Sequence, residues 1–136
     1  MKVKTLRRVY LREAAVSLFL ARIAVRVIPA ARIFAWATRP PRRIRRFAVD
    51  ETGWVLWAID NAAAKSRSEA LCLPRALAAH SMLRRRGIAS RVCLGVAREQ
   101  GNVIAHAWVE VGGDNNIVAN PGTSTLTRLA EFGGPT

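Results

Sequence analysis

The sequence predicts an α+β fold, with helices first and an antiparallel sheet after them. Three observations carry this. Apolar residues recur at the helical period through about Arg86. Gly87 then supplies a helix stop. Beyond it, Val and Ile alternate with other residues at a period of two. The chain of 136 residues fits one domain, residues 47–136, preceded by a helical extension with a basic linker, residues 1–46. Its composition is 51% hydrophobic, enough to bury a core without disulfides or metals.

Residues 5–37 read as helix, kinked or broken at Pro29, since proline lacks the N–H and clashes with the preceding turn. Arg8, Arg12, Arg22 and Arg26 fall in one stripe of that helix, interrupted by Phe19, and Ala, Val, Leu and Ile fill most of the rest. Such a segment is expected to pack on the following domain or on a partner, with peripheral contact to a membrane as the alternative. Thr38–Arg46 reads as a linker, because Pro40 and Pro41 end the helix and four Arg follow. Asp50 is placed to cap a helix over about 51–64, with Val55, Ile59, Ala62 and Ala63 on its apolar side. Trp54 and Trp57, one turn apart, read as core or interface. Lys65–Glu69 is a polar connector.

The next helix begins near Cys72, carries Pro74 in its first turn, and ends near Arg86 with Gly87 as cap. Ser90–Ala97 and Val103–Val111 read as strands joined through Arg98–Asn102. The run Gly112–Asn115 is a second hairpin signal leading into Asn116–Asn120. A short helix is expected over Thr125–Phe132.

The net charge of +13 calls for an anionic partner, whether peptide, protein, membrane or nucleic acid. The Arg run 42–46 lacks interleaved aromatics and any nucleic-acid-binding framework, so no nucleic-acid partner is expected. Arg22, Arg26 and Arg32 interrupt the most apolar stretch, which excludes a spanning helix and a signal peptide there. Two cysteines are too few for a disulfide framework, so reduced thiols in the cytoplasm are expected.

Cys72 lies where a nucleophilic thiol is useful. At a helix start the unpaired backbone N–H groups and the dipole favour a thiolate, and the same groups bind an oxyanion. His106 shares one strand face with Trp108 and Glu110, while Val103, Ala105, Ala107, Val109 and Val111 line the other. A short turn centred on Gly113 would pair Val111 with Asn115 and His106 with Asn120, with Cβ atoms ~5 Å apart, so that Asn120 could hydrogen-bond and orient the imidazole. Glu110 lies ~13 Å along the strand from His106 and is too far to orient it. His80 lies ~12 Å from Cys72 along the helix and does not serve as its base. Cys72, His106 and Asn120 together make a Cys–His–Asn set able to cut an amide through a thioester. Cys93, mid-strand among Val92 and Leu94, reads as a buried structural thiol. Arg84, Arg85 and Arg86 suit a helix C-terminus. Two Cys and two His at these spacings form no zinc site, no glycine loop cradles phosphate, and no cofactor is expected.

The runs CLPRALA from Cys72, MLRRRGI from Met82, CLGV from Cys93 and HAWVEV from His106 resemble the transglutaminase-like leader peptidases of lasso-peptide biosynthesis over roughly residues 47–121. That resemblance implies a papain-like core and a cysteine endopeptidase that removes the leader from a ribosomally made precursor. In the family the Cys is the nucleophile and the His the base, here Cys72 and His106. The third position, usually acidic in the family, falls on Asn120. The chain is similar to the split form, which implies a separate small leader-recognition protein as partner, beside the precursor leader peptide and the ATP-dependent macrolactam synthetase. A transglutaminase-like acyltransferase or amidase on the same dyad, and a basic non-enzymatic adaptor, are the alternatives.

Overall fold

In the computed structural model, the residues described are 2–40, 49–64, 72–111, 117–119 and 126–133. Among these residues four helices precede four strands, the predicted α+β order: α1 (Val3–Val27), α2 (Ala30–Thr38), α3 (Val49–Ala64), α4 (Cys72–Arg85), β1 (Ser90–Glu99), β2 (Asn102–Val111), β3 (Ile117–Ala119) and β4 (Leu126–Gly133). The strands form one antiparallel sheet in the order β3-β2-β1-β4.

Pro29 breaks the long N-terminal helix in two. Ile28, forced out of helical geometry by the proline after it, adopts an extended conformation. Helix α1 packs on α3 and α4 and contributes Tyr10, Ala14, Leu18 and Ala21 to the core. Tyr10 stacks on Trp54 at 6.0 Å, and Trp54 meets Trp57 edge-on at 5.4 Å. Helix α3 begins at Val49, so Asp50 falls in its first turn and not at its cap. Val55, Ile59 and Ala63 are buried as the pattern requires.

Helix α4 ends in a Schellman turn. Gly87 adopts φ +73°, its N–H donates to the Arg84 carbonyl at 3.0 Å, and the Ile88 N–H reaches the Leu83 carbonyl at 2.9 Å. The three arginines at this end do more than complement the dipole. Arg84 donates to the carbonyls of Trp36 and Arg39, tying down the end of α2. Arg85 and Arg86 both bind Glu13 of α1, and Arg86 also lies over the Tyr10 ring at 4.6 Å.

Strands β1 and β2 run farther than predicted, to Glu99 and from Asn102. Only Gln100 and Gly101 remain in the turn, both at positive φ, as a type I′ hairpin demands. Beyond β2, Val111 pairs with Ile117 and not with Asn115, so the expected tight turn at Gly113 gives way to a longer connection over 112–116. The expected helix over Thr125–Phe132 is also corrected: Leu126–Gly133 is strand β4, paired with β1. Its local spacing of Leu126, Leu129 and Ala130 is helical, but β1 offers a free edge whose backbone groups need partners, and pairing wins over local periodicity. Phe132 then stacks on Phe34 of α2 at 4.3 Å.

Candidate active site

The first residue of α4 is Cys72, with Pro74 in the same turn. The thiol is half-buried and packs against the core cluster. One turn on, Arg75 reaches Asp60 of α3 at 2.6 Å, which holds the start of α4 against its neighbour. Helix α4 also packs against β2, the strand that carries His106.

Along the second half of β2, which is buried on both faces, successive side chains point to opposite sides of the sheet. Ala107, Val109 and Val111 enter the core with Ala76, Ala79, Met82 and Leu83 of α4. His106, Trp108 and Glu110 face the other way. His106 is half-buried, and its Nε2 is fully enclosed with no hydrogen-bond partner among the described residues. No hydrogen bond joins it to Cys72 among the described residues. By that alternation His106 lies on the sheet face opposite the one on which α4 packs. Asn120, expected opposite His106, lies outside the described residues; the pairing that placed it there is displaced by two residues where β2 and β3 meet.

Sequence reasoning missed the ionic cluster beside His106. Glu110 is 4% exposed. It accepts from the Trp108 indole N–H at 2.9 Å, from Arg91 Nε at 3.2 Å, and from Arg128 of β4 through both oxygens. Burial pushes the Glu110 carboxyl up, but the hydrogen bonds of Trp108 and Arg91 and the charge of Arg128 outweigh it, so its pKa is lowered. The cluster holds Trp108, whose ring centroid lies 6.4 Å from that of His106. Across the sheet Gly95 pairs with His106. A Cβ there would lie 2.8 Å from the tip of the Trp108 indole and 2.2 Å from the Thr127 carbonyl oxygen, so only glycine leaves room for the indole. The signal was in the sequence: the alternation that faces His106 also faces Trp108 and Glu110, and a tight hairpin sets Arg91 opposite Glu110.

The other cysteine and histidine take no part in this site. Cys93 is fully buried, and burial, with the Glu110 carboxylate next, pushes its thiol up to about 12. That fits the structural role predicted for it. His80 is buried between α2 and β1. Its Nε2–H donates to the Ala37 carbonyl at 2.9 Å, which leaves Nδ1 to accept from the Ser90 hydroxyl at 2.7 Å. Burial first, and then the charge of Arg84, lower its pKa to about 4 against the opposing bond to Ala37, so it is neutral at ordinary pH. Among the described residues no group of His, Cys, Asp and Glu is placed to hold a metal. A pocket of about 500 Å³ opens between α1, α2 and α4, lined in part by Leu20, Ile28, Ile33 and Leu77, and includes neither Cys72 nor His106.

Comparison with curated proteins and with solved structures yields no match. A family model described as the transglutaminase-like superfamily matches residues 15–131, from the second half of α1 almost to the end of β4. By that match the chain belongs to the transglutaminase-like superfamily, which includes cysteine peptidases and acyltransferases.

Proposed function

We propose that the protein is a cysteine endopeptidase that removes the leader from a lasso-peptide precursor. The observation that carries the reading is the half-buried Cys72 at the first residue of α4, in a chain of the transglutaminase-like superfamily. The thiolate adds to the scissile carbonyl to give a tetrahedral oxyanion, which the free N–H groups of the first turn of α4 stabilise. His106 protonates the leaving amine as the thioester forms. It then takes a proton from water, whose oxygen attacks the thioester and releases the new carboxylate and the Cys72 thiol.

The enclosed, unpartnered Nε2 of His106 supports the same reading. A buried ring nitrogen calls for a partner. Asn120 is our candidate for that orienting role. No metal or cofactor enters the mechanism. The resemblance of CLPRALA, MLRRRGI, CLGV and HAWVEV to the leader peptidases supplies the substrate class and the partners: the precursor leader, a separate small leader-recognition protein, and the macrolactam synthetase that uses the freed N-terminus. The cytoplasm, where precursor and thiol are both available, is the compartment this implies.

Superfamily membership also admits acyl transfer to an amine. Product mass separates the two. Incubation of precursor with the protein and its leader-binding partner in ¹⁸O-labelled water should place the heavy isotope in the released leader's carboxylate. Incorporation of a supplied primary amine at that carbonyl, in place of water, would overturn the hydrolytic reading.

A further inference from the structure

Charge and exposed apolar surface converge on the N-terminal helices. Residues 1–46 hold thirteen of the 22 Lys and Arg but only one of the nine acidic residues, Glu13. That one is already committed, bound by Arg85 and Arg86 of α4. Nine of the twelve large apolar side chains exposed among the described residues also lie here, from Val3 to Ile28.

Helix geometry arranges them. With Tyr10, Ala14, Leu18 and Ala21 turned into the core, Val9, Val16, Leu20, Ile23 and Val27 fall in an outward sector about 60° wide. Phe19, 61% exposed, sits at its border. Along the same border run Arg8, Arg12 and Arg26, with Lys4 and Arg22 just beyond, all exposed. The outer face of α1 is therefore itself amphipathic, with an apolar strip edged by long cationic side chains and no free acid. Ile28 extends the apolar strip past the end of α1.

We infer that this face binds the surface of an anionic phospholipid bilayer, with α1 lying in the interface plane. A nucleic acid would use the charge but leave the apolar strip wet. The strip projects outward from a helix on the flank of the fold, a shape that suits a compliant lipid surface. Arg side chains can lay their stems along the apolar sector and lift their guanidinium groups to the phosphates. No helix among the described residues is long and apolar enough to cross a membrane, so the contact is in-plane. The inference does not rest on the peptidase reading.

The test is co-sedimentation of the full chain with mixed phosphatidylglycerol–phosphatidylcholine vesicles and with phosphatidylcholine alone, with thermal unfolding of each variant measured alongside. Wild type should bind the anionic vesicles preferentially. The double variant Phe19→Ser/Ile23→Ser alters two exposed side chains and should keep the fold while losing roughly tenfold or more in partitioning. Arg22→Gln/Arg26→Gln should lose about fivefold per charge. Equal binding of wild type and Phe19→Ser/Ile23→Ser would reduce the interaction to charge attraction and overturn the inference. So would a lack of binding to anionic vesicles, which would leave the strip to an acidic protein partner.

Discussion

The Trp108 indole N–H donates to Glu110 at 2.9 Å, two residues along one strand face, and the same carboxylate gathers Arg91 and Arg128 from the strand β1 and from β4 beyond it. This joins three strands by one buried anion. Replacing Glu110 with Ala opens an apolar gap beside the two arginines, which keep Glu131 at 3.9 Å from Arg91 and 2.9 Å from Arg128. Loss of a buried ion-pair partner costs ~3–5 kcal/mol, and the lower end applies because the Arg128 side chain is 34% exposed. Urea unfolding of Glu110→Ala should therefore show a loss of roughly 3 kcal/mol, with Glu110→Gln in between. A change below about 0.5 kcal/mol would mean that the cluster is a surface feature.

Gly95 predicts a second cost. Gly95→Ala places a methyl against the Thr127 carbonyl and the Trp108 ring. Overpacking of this kind costs about 1–3 kcal/mol. Trp108 must shift, so its fluorescence should change as well as the unfolding midpoint. Wild-type stability in Gly95→Ala would contradict the close approach.

The buried His80 predicts a pH dependence whose sign is fixed. Its folded-state pKa is lowered to about 4, while the unfolded chain titrates near 6.5. Between those values the unfolded state binds the extra proton, so stability is full above about 6.5 and falls as pH drops toward 4. The total is roughly 3 kcal/mol. His80→Gln should flatten the stability profile across that window. Parallel profiles for wild type and variant would exclude His80 as the cause.

The two thiols should separate cleanly under alkylation. Cys72 is half-buried at a helix start, whereas Cys93 is enclosed and held protonated. Brief treatment of the native protein with iodoacetamide should label Cys72 alone, as read by peptide mass mapping, with Cys93 reacting only after unfolding. Native labelling of Cys93 at a comparable rate would contradict its burial.

Much of the fold was legible from periodicity and punctuation. Pro29, Gly87 and Gly101 each mark a break that the backbone obeys, because their conformational constraints are local. The strands β1 and β2 were legible for the same reason, through alternation and a hairpin glycine. What failed was decided at a distance. Leu126–Gly133 looks helical locally and becomes a strand because β1 has an open edge. The β2–β3 register depends on how long a connection the chain prefers, and its short-turn signal was misleading. For the proposed site, the helix start at Cys72 and the strand that carries His106 were legible because both are local properties. The roles of Arg91, Arg128 and Gly95 were not, since each depends on a partner from another strand.

If Cys72 is the nucleophile, cleavage of the precursor depends on its thiol. The most direct measurement is mass spectrometry of the cognate lasso precursor incubated with the leader-binding partner and either wild type or Cys72→Ala, with the variant's fold checked by circular dichroism. Wild type should cleave at the leader–core junction, and folded Cys72→Ala should give no cleavage above background. Equal cleavage by both proteins would contradict that role for Cys72.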